Sequence, residues 1–283
     1  MKDVGYYNGV IQPADEMMIP ANDRAVYFGD GVYEAVLVAN KKPFAFDDHI
    51  ERFYQSCELI RINFTMKPEE LKSEIMKCVA EADDDNVMIY WQASRGTEKR
   101  HHDFPAPSVK PNLLITVRPK EMPSLEKKLA LITVEDTRFL HCDMKTLNLL
   151  PSVLANQKAM EAGCDEAVFH RGNIVTECSH SNIFIIKDGK VITHMADNLI
   201  LHGISRKHLI NITSKLNIPL EERAFTVDEL YDADEIIVSA SGVLCRSAYL
   251  LNGKEVGGKA PELYKRITDA YKEEFFEVTG YRL

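Results

Sequence analysis

No stretch of this chain is apolar for long enough to span a bilayer, which sets aside a helical membrane protein. The opening residues, MKDVGYYNGVIQPADE, lack the apolar core of a secretory signal. The six cysteines (Cys57, Cys78, Cys142, Cys164, Cys178 and Cys245) contain no CxxC pair, so no metal site is indicated and a reducing cytoplasm is expected. Cys142 and Cys178 flank notable residues, but buried bystander thiols are the expectation. Blocks of like charge are missing too. Net charge is -9 with a pI near 5.5, and Lys and Arg are scattered among acids. Such a surface has no footprint for nucleic acid or anionic membrane, so small-molecule partners are expected. Neither an internal repeat nor a low-complexity segment occurs. With 283 residues and 45% hydrophobic side chains, the chain can bury one large core or two ordinary ones.

What is present reads as alternating α and β segments. Gly5 to Ile11, broken by Asn8-Gly9, and Ala25 to Val38, broken by Gly29-Asp30-Gly31, are expected to be strands and turns. Helical spacing of Ile50, Phe53, Tyr54, Cys57 and Ile60 predicts a helix starting at Asp47 or Asp48 as N-cap. Another runs from Pro68 to Ala82. Strands at Val87 to Ser94 and Leu113 to Arg118 flank a polar loop, Arg95 to Pro105, of the kind that carries binding residues. Pro119 to Glu126 reads as a linker, giving a small domain at 1–118 and a larger one at 127–283. In the latter, expected elements are a strand at Leu129 to Val134, a helix from Pro151 to Ala162 closed by Gly163, and hairpins at Arg171-Gly172-Asn173 and Asp188-Gly189. A helix after Gly203, a capping box at Thr226 to Glu229, two strands (Glu235 to Ser239, Arg246 to Leu251) and a last helix from Pro261 to Val278 complete it.

Lys145, in the segment DMKTLNLLPSVLANQKA, is followed at Thr176 by TECSHSNIF. A lysine able to form a Schiff base and a carboxylate able to keep a ring nitrogen protonated are the minimum protein apparatus for pyridoxal-phosphate chemistry. These motifs, with YFGDGVYEAV from Tyr27, HIERF from His49 and RGTEKRHHDFP from Arg95, resemble the fold-type IV aminotransferases over nearly the whole chain. The resemblance is strongest to the D-amino-acid aminotransferases. It implies a two-domain α/β (α+β) fold with a small N-terminal domain and a larger, mixed-sheet, barrel-like C-terminal domain, and pyridoxal 5'-phosphate as cofactor.

By the same resemblance, Lys145 carries the cofactor and moves the proton, and Glu177 pairs with the ring nitrogen. Ser181 and Asn182 surround the cofactor, Leu201 supports it, and Arg52, Ile204, Ser205 and Ser241 hold its phosphate. Tyr33, Arg100 and His102 would trap the substrate α-carboxylate, for which a guanidinium backed by an imidazole and a phenol is well suited. The family delivers this loop from a neighbouring subunit, which implies a homodimer. Two positions depart from the family pattern: His180 and Ala240 replace small hydroxyl residues.

Blander readings exist for each residue alone. Ser205 could be a plain N-cap, Leu201 core, and Arg100-His101-His102 a solvated basic loop. Arg246 could receive a distal carboxylate or sit in a salt bridge, and is not counted in the site. The implied reaction is ping-pong transamination of D-alanine, D-glutamate or D-aspartate with a 2-oxo acid. Alternatives are a branched-chain L-amino-acid or (R)-amine transaminase, an aminodeoxychorismate lyase of the same fold, or a cofactor-binding protein without turnover.

Overall fold

The computed structural model describes all 283 residues. None of its helices is long and apolar enough to cross a membrane. Two compact units make up the chain: Met1–Met122 with Met144–Asn148 and Glu277–Tyr281, and Pro123–Asp143 with Leu149–Phe276 and the last two residues. Where the sequence suggested an unbroken domain at 127–283, the segment carrying Lys145 groups with the N-terminal unit instead. Its backbone is bonded to a strand there.

The first unit opens with a hairpin, β1 (Val4–Tyr7) and β2 (Val10–Pro13). Its turn residues Asn8 and Gly9 both sit at positive φ, 45° and 99°, which suits the twist of a two-residue hairpin loop. A short helix, α1 (Arg24–Phe28), stands where alternation predicted a strand. Local capping explains the difference: Asp23 accepts a hydrogen bond from Ala25 N, and Gly29 closes the helix at φ 60°. Then follow β3 (Gly31–Ala39), β4 (Lys42–Pro43), α2 (Phe46–Leu59), α3 (Pro68–Glu81), β5 (Val87–Ser94) and β6 (Asn112–Pro119). The sheet runs β2-β1-β6-β5-β3-β4, with every pairing antiparallel. Alternate residues of β5 (Val87, Ile89, Trp91 and Ala93) enter a core shared with Phe53 of α2 and Leu71 and Ile75 of α3. Each large side chain buried there contributes roughly 1.5–3 kcal/mol. The cap expected at Asp47 or Asp48 is absent. Ala45 occupies that position without a side-chain bond, and both aspartates lie in the first turn, where the helix dipole favours them.

The second unit contains β7 (Leu129–Glu135), α4 (Leu150–Glu161), β8 (Glu166–Arg171), β9 (Ile174–Cys178), β10 (Asn182–Lys187) and β11 (Lys190–Thr193). It continues with α5 (Ile204–Lys215), β12 (Leu220–Glu222), β13 (Phe225–Thr226), α6 (Val227–Asp232), β14 (Glu235–Ala240), β15 (Leu244–Leu251) and β16 (Lys254–Glu255), and nearly all of α7 (Pro261–Thr279). The sheet order is β12-β11-β10-β14-β15-β7-β8-β9-β13, with β16 beside β15. Parallel pairs (β15 with β7, β7 with β8) mix with antiparallel ones. Strands β9 and β10 lie far apart in that order yet pack against each other, so the sheet curls around Leu131, Val168, Val175, Ile183, Ile185 and Val238. The capping box at Thr226 forms both of its bonds. Helix α4 turns small residues inward, Ala155 and Ala159, and large apolar ones outward.

Candidate active site

Lys145 reaches its position through main-chain bonds to the edge of β3. Tyr33 N donates to Lys145 O and Leu147 N to Gly31 O, both at 3.0 Å, around a bridge between Val32 and Thr146. The approach is so close that a Cβ on Gly31 would lie 2.7 Å from Leu147 Cδ1 and 2.6 Å from Ala93 O. Only glycine fits. Lys145 Nζ lies 4.2 Å from the centre of the Tyr33 ring and makes no ion pair; that ring stacks on Tyr90 at 5.5 Å.

The next residue on β3, Glu34, points to the opposite face and is fully buried. Arg52 clasps it with Nε and Nη2, at 2.7 and 2.8 Å, and His49 Nδ1 lies 2.7 Å from Oε2. Burial by itself would raise the Glu34 pKa, but the charge and hydrogen bonds of Arg52, with His49, override it and hold the carboxyl at about 2. Burial lowers the His49 pKa, so the ring is neutral and its Nδ1–H donates to Glu34. Arg52, expected at a phosphate, thus commits two nitrogens to a buried carboxylate.

In the second unit Glu177, at the end of β9, accepts hydrogen bonds from Arg138 Nη1, Asn182 Nδ2 (2.9 Å) and Leu201 N (3.0 Å). Asn182 Nδ2 also donates to Leu201 O at 2.9 Å. Leu201 leads directly into α5, whose N-cap is Gly203 with no side chain to bond the helix. A Cβ on Gly203 would fall 2.0 Å from Asn182 Oδ1. Buried Ile204 and Ser205 head the helix. Nearby chain holds further polar atoms: Arg206 Nε and Ser239 Oγ are buried with no partner, and Ser241 follows in the turn after β14.

Behind Glu177 stands a buried ionic chain. Arg138 bonds Asp136 through Nε and Nη2, both at 3.0 Å, and Asp136 also takes Arg171 Nε and Thr176 Oγ1, both at 3.1 Å. Burial opposes the charge on Arg138, but Asp136 and Glu177 outweigh it and raise its pKa further above the ordinary range. Ser181 Oγ donates to buried Glu166 (2.8 Å), as does Ser179 Oγ; His180 Nδ1 lies 3.1 Å from the same carboxylate, with its ring partly open to solvent.

These groups fit a phosphorylated pyridine aldehyde. Within the second unit, the uncapped N–H groups of α5 and the unpartnered Ser239 hydroxyl suit a phosphate and Glu177 suits a protonated ring nitrogen; within the first, unpaired Lys145 suits an aldehyde.

Arg100 and His102 meet the Phe28 ring, with no hydrogen bond or ion pair of their own. Arg246, on β15, forms no salt bridge; its Nε is buried without a partner, and burial lowers its pKa. Sequence reasoning missed Glu34, His49, Arg138 and Glu166. The only local signal was the three-residue spacing of His49 and Arg52 on one face of α2; the others pair across the fold.

The amino-transferase class IV family pattern matches residues 31–248. A D-alanine aminotransferase of Staphylococcus aureus (strain MSSA476) is 38% identical over 271 residues, covering 95% of this chain and 96% of that protein. One from Listeria monocytogenes serotype 4b (strain F2365) is also 38% identical, over 96% of each chain. Among solved structures, a T.th. branched-chain amino acid aminotransferase with pyridoxamine 5'-phosphate superposes with a TM-score of 0.88 at 25% identity, covering 99% of this chain and 95% of that one. On the strength of the matched pattern and of relatives aligned along almost their whole length, the chain belongs to the class IV aminotransferases.

Proposed function

We propose that this aminotransferase uses pyridoxal 5'-phosphate to move the amino group of a D-amino acid, with D-alanine, D-glutamate and D-aspartate as donors, to a 2-oxo acid in two half-reactions. The observation that carries the reading is the delivery of Lys145 to the edge of β3, with its ammonium over Tyr33 and free of any carboxylate. The names of the 38% identical relatives support the D-amino-acid substrate class. Bound cofactor would supply the aldehyde and the electron-accepting ring.

Within that reaction Lys145 Nζ binds the cofactor and moves the proton at the substrate α-carbon. Glu177, paired with Arg138 and oriented by Asn182 and Leu201 N, keeps the ring nitrogen protonated. The head of α5 (Ile204, Ser205), Ser241 and Arg52 bind phosphate, and Leu201 supports the ring. Tyr33, Arg100 and His102 bind the α-carboxylate. The last two have no acceptor in their own chain, which supports a homodimer in which this loop serves a neighbour. Six buried, unpaired cysteines accord with a cytoplasmic location.

Mixing the cofactor-loaded protein with D-alanine or L-leucine, one at a time, tests the reading by the visible absorbance of the cofactor. D-Alanine should shift the band and L-leucine should not. A band moved only by L-leucine would move the assignment to the branched-chain enzymes.

A further inference from the structure

The loop bearing Arg100 and His102 is fastened to the segment ahead of β3. Asp23 bridges Thr97, Glu98 N donates to Asn22 O (3.1 Å), and Arg24 N donates to Gly96 O (3.0 Å). Asn112 Nδ2 reaches both Asp23 Oδ2 and Thr97 Oγ1 at 2.9 Å. Buried Arg24 spans Asp30, 2.7 Å from its Nε, and the His101 carbonyl, 3.0 Å from its Nη1. Arg95 grips the same Asp30 from the other side.

On this base stands Phe28. Its ring centre lies 4.9 Å from Arg24 Cζ, 5.1 Å from Arg100 Cζ and 5.4 Å from the His102 ring, which is inclined by 51°. One ring therefore touches two guanidinium groups and an imidazole. Arg24 and Arg95 share one carboxylate, Asp30, whereas Arg100 and His102 have none. An aromatic face holds a guanidinium without using its N–H edges, which stay available for a carboxylate. It also removes rotamer freedom before the anion arrives, so less entropy is lost on binding.

We propose that Phe28 is a positioning residue that presents Arg100 and His102 as one preassembled carboxylate receptor within a single chain, and so sets selectivity for substrates bearing an α-carboxylate. This rests on the reading of Arg100 and His102 as carboxylate ligands. The test uses cofactor-loaded wild type, Phe28→Leu, Phe28→Tyr, Arg100→Ala and the Phe28→Leu/Arg100→Ala double variant. Binding of propionate, a carboxylate with no amino group, is measured by calorimetry, beside KM and kcat for D-alanine and cofactor affinity by absorbance.

Phe28→Leu should weaken propionate and raise the D-alanine KM by about five-fold each, the scale of one cation–π contact. kcat and cofactor affinity should hold, Phe28→Tyr should restore wild-type values, and the double variant should lose less than the sum of the two single losses, keeping only the part that runs through His102. Additive losses in the double variant, a Tyr variant as weak as the Leu one, or wild type that does not bind propionate would each overturn the proposal. Wild type that binds propionate through Phe28 but does not turn over D-alanine sinks the substrate reading and leaves the receptor standing.

Discussion

Tyr33 and Glu34 are sequence neighbours that β3 sends to opposite faces, the first beneath Lys145 and the second into a buried cluster with Arg52 and His49. This cluster makes the first unit sensitive to acid. The Glu34 carboxyl lies at about 2 when folded against 4.5 when free, so its contribution is present above the unfolded value and is lost as pH falls through 4.5 toward 2. The His49 pKa is also lowered by burial, so the unfolded chain takes up that proton more readily and the loss begins below about 6.5. Both effects have the same sign. Urea unfolding between pH 7 and pH 4 should show stability falling throughout, with Glu34 contributing about 1 kcal/mol by pH 4 of the roughly 3 kcal/mol that would be lost by pH 2. Glu34→Gln should be destabilised by about 3–5 kcal/mol at pH 7, because it leaves Arg52 buried without its counter-charge, and should show a shallower acid slope. Equal slopes in the two proteins would remove Glu34 from this role. Motif spacing singled out Lys145 and Glu177 from the sequence, but not Glu34 or Arg138: a buried charge is recognised by what surrounds it, and nothing in YFGDGVYEAV or around Arg138 records that.

Helix α5 shows how an element can be legible while its purpose depends on a neighbour. Gly203 marks the helix start in the sequence, but a glycine there also avoids Asn182, whose amide joins Glu177 to the turn before the helix. Gly203→Ala should force Asn182 away and weaken cofactor binding by about ten-fold, the scale of a mild overpacking penalty. Adding Asn182→Ala should relieve the clash without restoring the link to Glu177. An absorbance titration reads both variants; unchanged affinity in Gly203→Ala would show that the turn adapts. Helix α1 is the reverse case. Its alternation looked extended, and a side-chain cap from Asp23 with a left-handed Gly29 outweighed the pattern, as strong local hydrogen bonds do over five residues.

At the scale of the whole molecule, α4 carries its large apolar residues on the outside. Leu150, Val153 and Leu154 are 67%, 59% and 56% exposed at i, i+3, i+4 spacing, while Ala155 and Ala159 pack inward. A stripe of this kind in water calls for a cover. Sedimentation at micromolar concentration should give twice the 32.1 kDa chain mass, and Leu150→Glu with Leu154→Glu should shift the protein toward the monomer. A monomeric wild type would remove the homodimer, and with it the service of one chain's Arg100 loop to another.

The sequence by itself determined the period of nearly every helix and strand, the helix start at Gly203 and the motifs on which the proposed roles of Lys145 and Glu177 rest, because each is written in residues close along the chain. Tertiary structure alone decided that Met144–Asn148 joins β3 across more than a hundred residues, that Arg52 answers to Glu34, and that Phe28 gathers Arg100 and His102. Those pairings depend on which strand edge, helix face or ring is nearest after folding, a relation that burial and close packing create and that chain spacing does not encode.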